Sequence, residues 1–157
     1  MNAEEYIAKV LTERNLTLAV VETTTGGLIS SRLTSVPGSS KFYLIGLIAY
    51  SKSSKTTSLK INQDLLDKFG AVSEDVAMAM AHQIRALTNV DIGLAETGIA
   101  GPIQGRSAKP IGTAFIAINM NGVSYVEEIK CSGTRNEIRE EICRQALKML
   151  INKLDPQ

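Results

Sequence analysis

The chain has 157 residues, which suits a single compact domain, residues 1–157, with one sizeable core. Its hydrophobic share of 44% and charged share of 21% are ordinary for a soluble globular protein. Seventeen Lys and Arg residues oppose 16 Asp and Glu residues, so the formal net charge is only +1. This balance gives no electrostatic footprint for nucleic acid or for a membrane surface, and we expect neither as a partner. A local positive patch for a phosphate is compatible with it.

The two cysteines and the N-terminus exclude further classes. Cys131 and Cys143 form no C-x-x-C pair and have no accompanying histidine cluster, so we expect no metal. The N-terminal residues 1–6 include two glutamates with no apolar run behind them, which is unlike a secretory signal. The longest apolar stretch, residues 42–50, is too short to span a bilayer. We therefore expect a cytoplasmic protein.

In the first half of the chain, helix and strand patterns alternate. Residues Ala3–Arg14 place apolar side chains on one helical face, which predicts an amphipathic helix. Leu18–Val21 predicts a short strand that is apolar on both faces. The elements predicted next are a helix from Leu28, a loop over Val36–Ser40, a strand over Phe42–Tyr50, a helix over Ser51–Leu59 capped by Ser51, and a short helix from Asn62 to Gly70.

The second half predicts one further buried strand and a hairpin between two long helices. Ser73 is suited to cap a helix that runs to about Thr88. The dipeptide Asn121-Gly122 predicts a hairpin turn, because both positions need a positive φ. The remaining predicted elements are a strand over Ile92–Ala95, a loop over Thr97–Pro110, strands over Gly112–Met120 and Val123–Lys130, and a closing helix over Thr134–Leu154. This order predicts an α/β fold with a central mixed sheet and helices on both faces.

The first of three candidate ligand loops follows the strand that ends near Val21. Open α/β sheets usually bind ligands in loops at strand ends. In residues 22–27, the sequence Thr25-Gly26-Gly27 at a helix start offers free N–H groups and a positive dipole end to an anion such as phosphate. The alternative is a glycine-tolerant turn with hydroxyl caps, since short glycine motifs are weakly specific.

The second candidate loop contains Tyr50 and Lys55. If a helix starts at Ser51, Lys55 lies one turn in and leans back toward the strand end. A lysine beside a hydroxyl serves as a general base once burial or nearby positive charge lowers its pKa. The alternative is a solvated lysine in a polar helix, like its neighbours Lys52 and Lys60.

The third candidate loop runs from Glu96 to Pro102 and on to residues 109–113. Gly98 and Gly101 permit close approach of a ligand to the backbone. Thr97 follows the buried strand, so its hydroxyl is expected to face the same crevice as Thr23. A purely structural loop is the alternative.

Two arginines and the single histidine complete the candidates. Arg135 and Arg139 lie four residues apart on one face of the last helix, where they either clamp a phosphate or pair with Glu140 and Glu141. His82 lies in the middle of a predicted helix and is interpreted as a surface residue rather than as a base.

Seven segments together resemble the C-terminal domain of the competence-damage-inducible protein family (CinA), which also occurs as a free-standing nicotinamide-nucleotide amidase. They appear in the family's order and extend from about Leu18 to Leu150. The segments are L-A-V-V-E-T-T-T-G-G-L-I-S, V-P-G-S-S, A-Y-S-K-S-S-K, G-A-V-S-E-D-V-A, T-G-I-A-G-P, K-P-I-G-T and S-G-T-R-N-E-I-R.

The resemblance implies both an activity and an architecture. It implies hydrolysis of the carboxamide of nicotinamide mononucleotide, a small pyridine nucleotide, to nicotinate mononucleotide and ammonia. It also implies a three-layer α/β/α sandwich that works without a metal or another cofactor and associates as homo-oligomers. The family's larger form carries a nucleotide-processing domain in front, for which this chain has no room.

The resemblance also implies roles for individual residues. The family's E-S-C-T-G-G motif has a presumed nucleophilic Ser, which aligns with Thr23 here. The other residues implied in catalysis are Tyr50, Lys55 and Thr97. Those assigned to substrate binding, from the motifs and the loop arguments together, are Thr24 (in place of the family's Cys), Thr25, Gly26, Gly27, Gly98, Gly101, Arg135 and Arg139.

Two departures from the family pattern leave the activity open. Thr23 keeps a hydroxyl, but its methyl group stiffens χ1 and crowds the carbonyl's approach, and a misplacement of about 1 Å can cost on the order of a hundredfold in rate. Ile103 and Gln104 stand where the family has flexible glycines. The leading hypothesis is an amidase; the alternatives are a catalytically impaired homologue that still binds a nucleotide, and a purely structural interaction domain.

Overall fold

A computed structural model describes residues 1–156 of the chain, which contain five strands, six α-helices and one short 3₁₀ helix. The strands are β1 (Leu18–Glu22), β2 (Tyr43–Ile48), β3 (Ile92–Gly98), β4 (Thr113–Met120) and β5 (Val123–Lys130). The α-helices are α1 (Ala3–Glu13), α2 (Leu28–Thr34), α3 (Lys52–Leu59), α4 (Gln63–Phe69), α5 (Glu74–Thr88) and α6 (Arg135–Leu154). The 3₁₀ helix covers Ser39–Lys41.

The strands form one mixed sheet in the order β2-β1-β3-β4-β5. β1 pairs in parallel with both β2 and β3, with Val21 opposite Leu47 on one side and opposite Ala95 on the other. β4 runs antiparallel to β3 and to β5. The carboxyl ends of the three parallel strands therefore meet at one edge of the sheet, where the loops that follow them lie together.

Helices cover both faces of the sheet, so the α/β/α sandwich predicted from the sequence is confirmed. Alternating residues of the buried strands point to opposite faces. On one face, Val20 and Leu94 pack against α1, α2 and α6. On the other, Val21 and Ala95 pack under α5. A Cβ atom at Gly93 would lie 2.1 Å from the Ala81 carbonyl oxygen, so glycine is what lets α5 approach the sheet closely.

Most predicted helix starts and the hairpin are confirmed. Ser51, Asn62, Ser73 and Thr134 each accept a hydrogen bond from a backbone N–H of the first helical turn, as N-caps do. Asn121 and Gly122 join β4 to β5 with φ values of 54° and 75°.

Three boundaries differ from the predictions. β3 continues to Gly98, because its antiparallel pairing with β4 extends beyond its pairing with β1. Thr97 therefore belongs to a strand and not to the following loop. β2 ends at Ile48, which leaves Tyr50 in the turn before α3. The predicted loop over Val36–Ser40 runs into the 3₁₀ helix. Within residues 1–156, no helix has the length and apolar character needed to cross a membrane.

Candidate functional site

A cavity of about 720 Å³ opens at the carboxyl ends of β1 and β3. Its walls come from the loop after β3, from the segment between α4 and α5, from α3 and from the start of α6. The predicted site residues that line it are Thr23, Thr24, Tyr50, Lys55, Thr97, Gly98, Gly101 and Arg135. The structure thus brings together residues that lie more than a hundred positions apart in the sequence.

Thr23 and Thr24 both line the cavity. Both side chains are buried, and their hydroxyl oxygens lie 3.4 Å apart. The Thr23 hydroxyl donates to the main-chain carbonyl of Glu96 at 3.1 Å, and the Thr23 N–H donates to the Glu96 carboxyl at 2.6 Å. Thr23 is therefore fixed by β3 through both its backbone and its side chain.

Lys55 is a buried amine at the cavity, with only 2% of its surface exposed. Its Nζ donates to the Ala49 carbonyl at 2.8 Å and to the Ser51 carbonyl at 3.5 Å. Burial lowers the pKa of Lys55. The alternative of a solvated lysine is wrong for Lys55. It describes Lys52, which is exposed and pairs with Asp67.

Two carbonyl acceptors suit a neutral amine at Lys55. A neutral amine has two N–H donors and one lone pair, whereas an ammonium has three donors and no acceptor. Donation to Ala49 and Ser51 is compatible with a neutral amine whose remaining lone pair can accept a proton. Within residues 1–156, no hydrogen bond joins Nζ to the Thr23 hydroxyl.

Thr97, Tyr50 and Arg135 lie around the same cavity. Thr97 is buried and its hydroxyl donates to the Ala71 carbonyl at 2.8 Å, which leaves its oxygen lone pairs as acceptors. The Arg135 guanidinium donates to the Gly101 carbonyl at 2.7 Å and to the Tyr50 hydroxyl at 3.1 Å. These two bonds hold an arginine and a tyrosine at the mouth of the cavity.

Thr25, Gly26, Gly27 and Arg139 do not line the cavity. The start of α2 does not offer the free N–H groups that the sequence led us to expect. The Glu22 carboxylate accepts hydrogen bonds there from the N–H groups of Gly27, Ile29 and Ser30 at 2.8–3.1 Å. The chain's own carboxylate thus occupies the place that was predicted for a bound anion.

Arg139 holds the loop that carries Thr23. Its guanidinium donates to the Thr24 carbonyl at 3.0 Å and to the Thr25 carbonyl at 2.9 Å. Pairing of this arginine with Glu140 or Glu141 is therefore not seen, and Glu141 pairs with Arg144 instead. His82 is exposed on α5, as expected for a surface residue.

Two buried carboxyl groups at the site were not among the predicted site residues. Glu22 and Glu96 are each 0% exposed and lie directly behind Thr23 and Thr25. Burial raises the pKa of Glu96. The signal available in the sequence was a charged residue that directly continues each buried apolar strand, since buried acids are rare without a specific role.

The charges around the cavity have one sign. Among residues 1–156, those that line it include five cations besides the buried amine of Lys55, and no Asp or Glu. The five cations are Lys52, Lys68, Arg106, Lys109 and Arg135. A cavity surrounded by charges of one sign concentrates ligands of the opposite sign. The cavity thus fits an anionic ligand, although the net charge of the whole chain is close to zero.

Fold and site together define an α/β/α domain with a cationic ligand cavity at the carboxyl ends of its parallel strands, and a buried hydroxyl and a buried amine line that cavity. The sequence model described as the CinA C-terminal domain matches residues 1–154. The chain belongs to the CinA C-terminal domain family.

Relatives and solved structures agree with this assignment. The chain is 42% identical over 150 residues to a competence-damage inducible protein of Alkaliphilus oremlandii, covering 96% of the chain and 36% of that protein. It therefore spans about a third of the length of such relatives. The crystal structure of a competence or damage-inducible protein from Enterobacter asburiae superposes with a TM-score of 0.94 at 31% identity, covering 98% of this chain and 96% of that one. A family structure from Agrobacterium tumefaciens gives 0.87 at 34% identity, covering 96% and 95%.

Proposed function

We propose that this chain is an amidohydrolase that converts nicotinamide mononucleotide to nicotinate mononucleotide and ammonia. The observation that carries the proposal is the presence of a buried Thr23 hydroxyl and a buried Lys55 amine in the lining of one cationic cavity. A neutral amine beside a hydroxyl is the arrangement that activates an oxygen nucleophile. The surrounding cations match the phosphate of a mononucleotide.

In the proposed reaction, Lys55 Nζ accepts the proton of the Thr23 hydroxyl as Oγ1 attacks the carboxamide carbon. The C–N bond then breaks, and the Lys55 ammonium returns the proton to the leaving nitrogen, which departs as ammonia. Water, deprotonated by Lys55, attacks the resulting ester, and the Lys55 ammonium returns that proton to the leaving Thr23 oxygen. The acid product gives its remaining proton to solvent and leaves as a carboxylate. No metal or redox partner enters this balance.

Rotation of the Thr23 side chain is needed to begin this sequence, since its hydroxyl now donates to the Glu96 carbonyl. Thr97 offers acceptor lone pairs to the carboxamide N–H groups, because its own proton lies on the Ala71 carbonyl. Arg135, whose guanidinium donates to Gly101 and Tyr50 at the cavity, is the residue that we propose binds the phosphate. Gly98 contributes to the wall of the cavity, with Thr24 against it.

Thr25, Gly26, Gly27 and Arg139 contribute to binding through the shape of the loop rather than through contact with the ligand. Arg139 holds two carbonyls of this loop, and a Cβ atom at Gly26 would lie 3.3 Å from the Arg139 guanidinium. Gly26 and Gly27 have φ values of 57° and 105°, which other residues rarely adopt. These residues therefore keep Thr23 and Thr24 at the cavity.

The second candidate function is nucleotide binding without catalysis. One observation favours it: the Thr23 hydroxyl is bonded to a main-chain carbonyl and not to Lys55. The threonine methyl resists the rotation that would bring the hydroxyl to the amine, since β-branched side chains are stiff at χ1. In that case the cationic cavity binds the nucleotide and the protein acts through its assembly.

The exposed edge of the sheet supports a homo-oligomer, in which we also propose that the protein works. β2 is an outer strand, and its side chains Leu44, Ile45 and Ile48 are 40–55% exposed. Natural edge strands are usually covered or charged, because unpaired apolar edges associate. Analytical ultracentrifugation tests the assembly, and a monomer at all concentrations argues against it.

We propose a cytoplasmic location, which suits a nucleotide substrate.

Ammonia release from nicotinamide mononucleotide by the purified chain and by the Thr23→Ser variant tests the proposed function. Turnover by both supports the amidase, with the serine variant faster because it lacks the methyl group. Turnover by the serine variant alone supports the binding homologue. When neither releases ammonia, isothermal titration with the same nucleotide separates a binding protein from one with a different ligand.

A further inference from the structure

Glu22 and Glu96 lie side by side at the ends of two parallel strands. The parallel pairing of β1 with β3 ends at Val21 opposite Ala95, and Glu22 and Glu96 are the next residues of the two strands. Both side chains are fully buried. Burial, and to a smaller extent the neighbouring charge of Glu22, raise the pKa of Glu96.

The Thr25 hydroxyl lies between these two carboxyl groups. Its Oγ1 is 2.6 Å from Glu22 Oε2 and 2.8 Å from Glu96 Oε1. Each of these oxygen pairs needs one proton, and a hydroxyl has only one. The second proton must therefore come from a carboxyl group.

The surroundings of the two carboxyls favour Glu96 as the group that holds that proton. Glu22 accepts three N–H groups at the start of α2, where the helix dipole also favours a negative charge. Glu96 Oε1 accepts the N–H groups of Thr23 and Thr25, but Oε2 is buried and has no hydrogen-bond partner within residues 1–156. An ionised Glu96 would leave charge on that bare oxygen, which is costly.

We propose that Glu96 is a positioning residue that acts as an un-ionised carboxylic acid. It holds the Thr23 and Thr25 peptides through one oxygen and keeps a negative charge away from Lys55. The effect of Glu96 on Lys55 rests on the proposed function, whereas the un-ionised state of Glu96 and its peptide contacts do not. The charged or titratable groups that face Glu96 are Glu22 from β1, Lys55 from α3 and, through the loop that it holds, Arg139 from α6. Burial, which raises the pKa of Glu96, agrees with this state.

The charge of Glu96 matters because Lys55 is the proposed base. A carboxylate near Nζ favours the ammonium form, and an ammonium has no lone pair for the Thr23 proton. An un-ionised acid keeps the same peptide contacts without this effect. The carboxyl thus orders the nucleophile loop at no cost to the basicity of the amine.

The Glu96→Gln variant tests the ionisation state of Glu96, because the glutamine amide keeps an acceptor oxygen but does not gain or lose a proton in this pH range. Urea unfolding of both proteins is measured from pH 5 to pH 7.5. Unfolded glutamate loses its proton above a pKa of about 4.3, whereas folded Glu96 keeps it. The unfolding constant of the natural chain is therefore expected to rise about tenfold per pH unit relative to the variant. A ratio that does not change with pH overturns the proposal, whether or not the protein is an enzyme.

A second measurement covers the case in which Glu96→Gln does not fold. The infrared spectrum of the natural chain at pH 7 is expected to show the carbonyl stretch of one un-ionised carboxyl, since the exposed carboxyls are ionised at that pH. Absence of this band overturns the proposal without the use of a variant.

Activity then tests the link to Lys55. We expect Glu96→Gln to keep the pH profile of kcat, and Glu96→Ala to lower kcat at least about tenfold with little change in KM, because the Thr23 peptide loses its acceptor. A shift of the acid limb to lower pH in Glu96→Gln would mean that Glu96 is ionised, and it would overturn the proposal. If the natural chain releases no ammonia, the proposed function fails, and the unfolding experiment still decides the state of Glu96.

Discussion

The floor and the rim of the cavity are built in opposite ways. The floor consists of Thr23, Lys55 and Thr97, which are 2–6% exposed, and each donates a hydrogen bond to a main-chain carbonyl. The rim consists of the cations Lys52, Lys68, Arg106, Lys109 and Arg135, which are exposed or half-buried. The fold therefore holds the floor side chains in place through hydrogen bonds, whereas the rim side chains contribute positive charge without such fixed positions. Floor substitutions should change kcat, and rim substitutions should change KM.

The largest effect is expected at Thr23. Thr23→Val keeps the shape of the side chain and removes the hydroxyl, so kcat should fall by at least about 10⁴-fold if Thr23 is the nucleophile. Thr24→Val is the matched control, because Thr24 lies beside Thr23 in the same cavity and should lose far less. Ammonia release under saturating nucleotide measures both. Equal losses in the two variants would contradict the assignment of the nucleophile.

Lys55→Met should lower kcat by about 10²–10⁴-fold, the range typical of a lost general base. Lys52→Met is the control on the same helix, since Lys52 is exposed and pairs with Asp67. We expect the control to keep kcat. A large loss in both variants would mean that the total charge of α3, rather than one buried amine, supports activity.

The pH dependence of kcat and of stability also tests whether Lys55 differs from an exposed lysine. Because burial lowers the pKa of Lys55, kcat should rise with pH through a limb below 10.5, the usual lysine value. Between the lowered folded pKa and the unfolded value, the folded chain binds fewer protons than the unfolded chain, so stability rises with pH there. Lys55→Met should lack this slope in the free energy of unfolding, measured with urea from pH 7 to pH 10. An identical slope in the two proteins would show that Lys55 is not perturbed.

At the rim, Arg135→Met should raise KM about tenfold or more and change kcat little, because a charge-assisted contact to phosphate is lost. Arg144→Met on the same helix is the control, since Arg144 pairs with Glu141 and does not line the cavity. Steady-state kinetics with nicotinamide mononucleotide separate the two constants. A change in kcat alone would place Arg135 with the floor.

The sequence predicted the elements and the strand-end position of the site because these depend on local patterns. The continuous apolar runs of β1 and β3 and the caps at Ser51 and Ser73 depend on only a few neighbouring positions. The sequence predicted a Lys55 side chain near the strand end only if a helix starts at Ser51. The carbonyls that accept its hydrogen bonds belong to Ala49 and Ser51, in the turn before that helix. Local sequence favoured that turn, but the depth of burial depends on the packing of α3.

Long-range contacts account for what the sequence did not predict. The role of Glu22 at the start of α2 needs the carboxyl to fold back over Gly27 and Ser30. The contact between Glu96 and Thr23 joins residues that are 73 positions apart and depends on which strands become neighbours in the sheet. The Glu22 contacts lie within eight positions and depend on the path of the loop between β1 and α2.

The smallest effect is expected from Arg106 and Lys109, which lie on the loop after β3. The double variant Arg106→Gln and Lys109→Gln should raise KM only a few-fold at low salt, and the difference should fade as salt increases, since exposed charges are screened beyond about 8–10 Å near physiological ionic strength. KM is measured between low and physiological salt in both proteins. Gln104, whose side chain donates to the Ser107 and Lys109 carbonyls, is left in place so that the loop keeps its shape. A loss that salt does not change would mean that one of these cations contacts the ligand directly, and the rim would then be as fixed as the floor.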